Sequence, residues 1–309
     1  MDSFYDELDT LIESGDLDSV EAFILKAIFL SPEGSHERAA LFNELAGFYR
    51  SIGRHKDAES AFTQSLDLFE SLNMVSSPEY VTVATNLSGL YRMKAEVDKA
   101  IHLFHNAMKK IEDADEQSSY SYISILNNLA LAHQEKGEYS EALAYAESAL
   151  NLLRDGSGTA QEIAASLNNL AAIRIKLGEY EKADRLINES LSLYGSMQET
   201  DIHIAAALTT KAVVQCRTGD YEGALDGFRR SLRFIGGFFG ENIEFAICKR
   251  NIANVCELLG DLPSAILELS DSVRIMERML GTDHQAVLEL NEKIKQLELQ
   301  NTENSGGGA

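Results

Sequence analysis

The chain has 309 residues, with 27 Lys and Arg against 49 Asp and Glu and a formal net charge of −22; a field of that sign repels phosphate backbones and excludes nucleic acid as a partner class. No apolar run is long enough to span a membrane, and no basic segment leads into an apolar one near the start, so a soluble, cytoplasmic protein without membrane contact is expected. Cys216, Cys248 and Cys256 show no Cys-x-x-Cys spacing and read as reduced core thiols.

In chain order, residues 1–34 predict two short helices about Gly15. Leu8 and Leu11 share a face of the first, Val20, Ala27 and Ile28 line the second, and Pro32 stops it. From 35 to 282 the arrangement recurs six times. The turn positions Gly53, Ala95, Gly137, Gly178, Gly219 and Gly260 are separated by 42, 42, 41, 41 and 41 residues. Five residues later stand Ala58, Ala100, Ala142, Ala183, Ala224 and Ala265; thirteen later stand Leu66, Met108, Leu150, Leu191, Leu232 and Val273. Two after the turn come His55, Val97, Tyr139, Tyr180, Tyr221 and Leu262. Glycine accepts the positive φ that reverses a chain after a helix, and alanine lets two helix axes approach. Ala95 in the glycine slot implies either a less left-handed turn or strain.

Junctions fall near 72–78, 112–120, 155–160, 196–201 and 236–242. Glu112-Asp113-Ala114-Asp115-Glu116 lacks the glycine and distal Glu of a calcium loop and reads as solvated. Gly236-Gly237-Phe238-Phe239-Gly240 reads as a loop whose two Phe either form an exposed contact or tuck between repeats, core being favoured. Asp283 is the expected N-cap of a last helix, 283–300, with Val287, Leu290, Ile294 and Leu297 on its apolar face. Residues 301–309 read as a flexible tail.

Leu126 to Ala130 and Leu167 to Ala171 both read Leu-Asn-Asn-Leu-Ala, and Leu280-Gly281-Thr282-Asp283-His284 resembles a Gly-x-x-His-Pro junction with Gln285 in place of Pro. On these motifs and its period the chain resembles the tetratricopeptide repeat proteins, in the longer-period form seen in kinesin light chains rather than the usual ~34-residue repeat. The resemblance implies an all-α fold: a right-handed α-solenoid of about seven helix pairs plus a C-terminal capping helix, one domain over 1–300.

Catalytic patterns are absent from the sequence: it holds no phosphate loop, nucleophile elbow or His-Glu-x-x-His, and His102 with His105 lack ligands at metal spacing. No enzyme activity, cofactor or metal is expected. In a stacked solenoid the first helices line the concave side. Nine residues before each turn the sequence reads Glu44, Asn86, Asn128, Asn169, Thr210 and Asn251; ten before, Asn43, Thr85, Asn127, Asn168, Thr209 and Arg250. In the family the matching Asn holds the backbone of a bound peptide, and an amide offers both donor and acceptor for that task. The other reading, that these amides only bond neighbouring helices, stays open. Arg50, Arg92, Lys176 and Arg217 lie two or three residues before the turns. With Arg250 they suit an acidic or carboxylate-bearing peptide, although Glu44, Glu135 and Glu257 lie nearby. Arg229, Arg230 and Arg233 read as a solvated outer face. The expected function is a monomeric, non-catalytic adaptor that binds an extended or helical partner peptide in the groove; the alternatives are a peptide-sensing regulator whose superhelix changes pitch, and an end-to-end self-assembler.

Overall fold

The computed structural model describes residues 2–116, 119–195 and 203–306. Fifteen α-helices and no strand lie among the described residues, arranged as seven pairs and a trailing helix. The pairs are α1 (Asp2–Ser14) with α2 (Leu17–Leu30), α3 (His36–Ser51) with α4 (His55–Ser71), α5 (Pro78–Met93) with α6 (Val97–Asp113), and α7 (Tyr120–Lys136) with α8 (Tyr139–Leu152). They continue as α9 (Ala160–Lys176) with α10 (Tyr180–Gly195), α11 (His203–Thr218) with α12 (Tyr221–Phe239), and α13 (Ile243–Leu258) with α14 (Leu262–Leu280), followed by α15 (Gln285–Gly306). The chain divides into two compact units, 1–157 and 158–309, the first ending in a π-helical turn at Leu153–Ser157.

Both units are built alike. Within each unit the second helix of a pair packs on the next first helix, as α4 on α5, α6 on α7, α10 on α11 and α12 on α13. First helices also touch one another, α3 with α5 and α5 with α7 in the first unit, α9 with α11 in the second. A helix pair cannot bury its apolar stripe alone; stacking the next pair against it makes the core continuous within a unit.

The turn residues adopt the conformation their identities call for. Gly53, Gly137, Gly178, Gly219 and Gly260 have φ of +77°, +78°, +76°, +88° and +78°. Each turn closes with a bond between residues five apart, as where Glu138 N–H donates to the His133 carbonyl over 2.9 Å, which satisfies a helix-end acceptor. Ala95 takes φ +57°, so the strained alternative holds there. The six alanines five residues past the turns are all fully buried.

A second register lies deeper. Twelve residues after the turns stand Ser65, Ala107, Ala149, Ser190, Ser231 and Ser272, all fully buried. Each serine hydroxyl donates to a carbonyl of the partner helix 26 residues back: Ser65 to Ala39 (2.7 Å), Ser190 to Ala164 (2.7 Å), Ser231 to Ala205 (2.8 Å) and Ser272 to Ala246 (2.8 Å). Where alanine replaces serine, the residue 26 positions earlier is bulky: Val81 before Ala107, and Ile123 before Ala149. A hydroxyl reaching a backbone carbonyl needs close helices, and only Ala opposite permits that; Val or Ile fills the same gap once the hydroxyl is gone.

First helices start on a repeated cap. The side chains of Ser35, Ser77, Ser119, Thr159 and Asn242 accept the N–H of the residue three further on. At Thr159 the box is complete, Glu162 accepting the Thr159 N–H in return at 2.8 Å.

Three expectations are corrected. Residues 236–239 form no loop and no core: α12 runs through both glycines to Phe239, leaving Phe238 and Phe239 50% and 56% exposed. Gly236 permits this, since a Cβ there would lie 3.1 Å from the Phe245 ring, so the helix end rests directly on α13. The last helix begins at Gln285, with Ala286 N–H donating to His284 Nδ1 (3.3 Å), so His284 rather than Asp283 caps it. This helix continues to Gly306, into the segment expected to be a tail. The expected junction at 196–201 and residues 307–309 lie outside the described residues.

Candidate functional site

Each first helix buries one stripe and turns another outward, and the outward stripe carries the positions nine and ten residues before the turn. In the first unit these side chains largely satisfy one another. Asn86 Nδ2 on α5 donates to Asn43 Oδ1 on α3 (3.2 Å), bridging successive first helices. Asn128 Nδ2 turns back to the Ser124 carbonyl of its own helix (2.9 Å), and Asn127 is half-buried. Burial pushes the Glu44 carboxyl above the usual range, opposed by a hydrogen bond from Tyr5 of α1. Of the cations, Arg50 donates to the Asn86 carbonyl (3.4 Å) with its guanidinium 6.0 Å from the Phe62 ring. Arg92 grips Glu135 with two nitrogens, at 2.9 and 2.5 Å. A cavity of about 260 Å³ opens between α5 and α7, lined by Thr82, Thr85, Asn86 and Ser124.

The second unit leaves more of the stripe unspent. Asn168 is half-buried, and its Oδ1 is buried with no hydrogen-bond partner. Asn169 is exposed and Asn251 half-buried. Lys176 and Arg217 are exposed and Arg250 half-buried; among the described residues none of the three has a carboxylate partner. Lys211 and Lys249, by contrast, reach Asp184 (2.5 Å) and Glu268 (2.8 Å). Thr209 Oγ1 lies 2.8 Å from Ser231 Oγ, whose own proton is committed to the Ala205 carbonyl, so Thr209 is the donor. A cavity of about 520 Å³ lies between α11 and α13, at the same repeat positions as its counterpart in the first unit.

Side-chain connections differ along this stripe in ways that sequence spacing does not specify. The sequence reading assigns the amide register and the basic residues to one groove; the structure pairs Asn43 with Asn86, ties Arg50 to that pair, neutralises Arg92, and leaves Asn168, Lys176, Arg217 and Arg250 without such partners. The serine register and the α11–α13 cavity were missed. The first had a signal, Ser at one fixed offset with Ala 26 residues earlier.

Elsewhere, His133 is 8% exposed, stacks on Tyr145 (5.4 Å between ring centres) and shares its Nδ1 with Glu138 (2.7 Å). His105 stands edge-on to both rings. Among the described residues no group of three or more His, Cys, Asp or Glu is placed to hold a metal ion. Nor is any helix among them long and apolar enough to cross a membrane. The thiols of Cys248 and Cys256 are buried, and desolvation pushes Cys248 up to about 11.

Stacked helix pairs with a shared outward stripe define an all-helical repeat scaffold. The tetratricopeptide repeat profile matches residues 37–109, 79–155, 121–196 and 162–235, more than half of the sequence, and the chain belongs to that family. No curated protein matches it in sequence. Among solved structures it is similar to a tetratricopeptide repeat protein from Parabacteroides merdae (15% identity, 95% of this chain and 98% of that one, TM-score 0.63). It is also similar to BtubC (BKLC) from P. vanneervenii (19% identity, 73% and 93%, TM-score 0.61) and to RapI in its apo form (12% identity, 89% and 97%, TM-score 0.66). At these identities the likeness shows the fold alone.

Proposed function

We propose that this chain is a non-catalytic adaptor that binds an extended or helical peptide of a partner protein on the outward stripe of its first helices, as a monomer in the cytoplasm. The observation that carries the reading is Asn168 Oδ1, a buried acceptor without a partner beside the exposed Asn169. A buried amide acceptor left empty is destabilising, and a peptide N–H is one donor that would satisfy it. Lys176, Arg217 and Arg250 add unpaired positive charge to the same helix faces of an acidic body, which supports an acidic or carboxylate-bearing peptide. The 41 to 42 residue period and the two Leu-Asn-Asn-Leu-Ala stretches support the kinesin light chain form of the repeat.

The test is quantitative pull-down from lysate with the wild-type chain and with a variant carrying Asn168, Asn169 and Asn251 all changed to Ala, circular dichroism first showing equal helicity. Capture by the wild type and loss by the variant is expected. Equal capture by both would make the amides structural.

A further inference from the structure

We infer that the outward face of α2, built on Leu25 and Phe29, is a docking surface for an amphipathic helix of a partner protein whose apolar face is flanked by Lys or Arg. The surface lies on a second helix, apart from the outward stripe of the first helices, and does not depend on the groove reading.

The second helices share a register that makes α2 the exception. It packs on α1 and α3, with Val20, Ile24 and Ile28 buried. Its opposite side points to solvent, as in every later copy. Fourteen residues after the turn the six later second helices carry Asp67, Lys109, Asn151, Ser192, Arg233 and Arg274, all exposed. Ten after the turn they carry Thr63, His105, Glu147, Asn188, Arg229 and Ser270. Polar residues at both positions are what a solvated face requires. In α2 the same positions hold Phe29 and Leu25, 81% and 44% exposed.

These apolar residues are contiguous, and the core does not use them. Ala22, Leu25 and Phe29 are all exposed and recur at steps of three and four, so they form one row about 10 Å long on a single helix face. Leu30 widens the row at 70% exposed, where its counterparts Leu68, Leu152 and Leu193 are half-buried. The contact between α1 and α2 is closed without any of them: Phe23 stacks on Phe4, with ring centres 5.2 Å apart. A row of this spacing is a ridge that the groove of another helix accepts, and an exposed aromatic on it suits an anchor.

Charge selects the partner. Residues 1–34 contain nine Asp or Glu and a single cation, Lys26. Asp18 stands on the same row, one turn before Ala22, and Glu33 follows the helix; both are exposed. Glu21 is engaged by the Tyr49 hydroxyl and by Arg54, each at 2.7 Å. An apolar row with acid at both ends complements an apolar stripe set between cations. A second copy docked through the same face would oppose like charges, and an anionic membrane would meet the same repulsion.

A labelled synthetic helix of Leu and Lys, with Leu at i, i+3, i+4 and i+7, is titrated with the full chain by fluorescence anisotropy. One control peptide has every Leu changed to Ser at equal charge; the other has every Lys changed to Glu. The protein variant carries Leu25→Gln and Phe29→Gln, which removes the apolar row without changing charge. Both side chains are exposed, and circular dichroism checks that the variant folds. The expected result is binding of the Leu and Lys helix about tenfold or more tighter than either control, and a loss of about tenfold or more in the variant. The comparison among peptides on the wild type stands whatever the variant does. Equal affinity of a folded variant and wild type overturns the surface, as does a serine control that binds as tightly as the Leu and Lys helix, since net charge alone is then being read. A Glu control that binds equally well overturns the partner's chemistry. Failure of the Leu and Lys helix to bind overturns the inference as a whole. Sedimentation equilibrium and flotation with phosphatidylserine vesicles then assign the face, to a second copy or to a membrane, by whichever association the variant loses.

Discussion

Asn86 on α5 donates its amide to the side-chain oxygen of Asn43 on α3 over 3.2 Å, and this one contact joins two repeats through their outward stripes. A half-buried amide bond of this kind contributes about 1 kcal/mol net. Asn86→Ala and Asn43→Ala are each expected to lower unfolding free energy by about that amount, and a double-mutant cycle in urea is expected to show most of it as coupling. Additive losses would mean that the two amides stabilise independently.

Ala95 holds a backbone conformation in which five equivalent positions have glycine. The left-handed region costs a non-glycine residue about 1–2 kcal/mol, against which glycine loses some entropy on folding. Ala95→Gly is therefore expected to stabilise by about 0.5–1 kcal/mol, and Gly137→Ala to destabilise by about 1 kcal/mol. Urea midpoints of the two variants check both signs.

The serine register predicts a compensation. Ala164→Val places a branched side chain at the carbonyl that Ser190 reaches at 2.7 Å, and overpacking there is expected to cost about 1–3 kcal/mol. Adding Ser190→Ala reproduces the Val81 and Ala107 combination found in α5 and α6. The double variant is expected to be more stable than Ala164→Val alone, although Ser190→Ala alone costs about 1 kcal/mol. A double variant weaker than either single one would show that the two combinations do not substitute for each other.

His105 on α6 predicts a pH effect. Desolvation, with the neighbouring His133 and His102, holds its pKa below the ordinary value. Tyr145 faces it from α8 and His133, itself bonded to Glu138 in the turn between, from α7. The unfolded chain takes up this proton before the folded one does, so the contribution is fully present above the unfolded value, about 6.5, and falls away as pH drops toward the folded value. Thermal melts between pH 7.5 and 5 are expected to show a smaller loss for His105→Gln than for wild type. Parallel curves would remove His105 from the account.

What was legible in the sequence obeys a local steric rule at a fixed period: the left-handed turns at Gly53 through Gly260, and the alanines where helix axes meet. Phe238 and Phe239 were misread because two adjacent glycines argue against a helix, at about 1 kcal/mol each. The packing of Gly236 on Phe245 overrides that penalty and has no local signature. The amide register was legible, but its bonds were not. Whether an Asn meets another Asn, as at 43 and 86, or its own helix, as at 128, depends on distances between helices that sequence spacing does not fix.

The serine and alanine pairs also dictate where such a chain can be cut and rejoined. Both members of each pair, Ser231 with Ala205 or Ala107 with Val81 at the same spacing, belong to the two helices flanking a single turn. Whole helix pairs are therefore interchangeable cassettes, each carrying its own internal gauge. A splice at the capping residues Ser77, Ser119 or Asn242 preserves that gauge, whereas a recombination at the glycine turn sets a narrow helix against a wide one, so viable chimeras should have their crossovers at the caps.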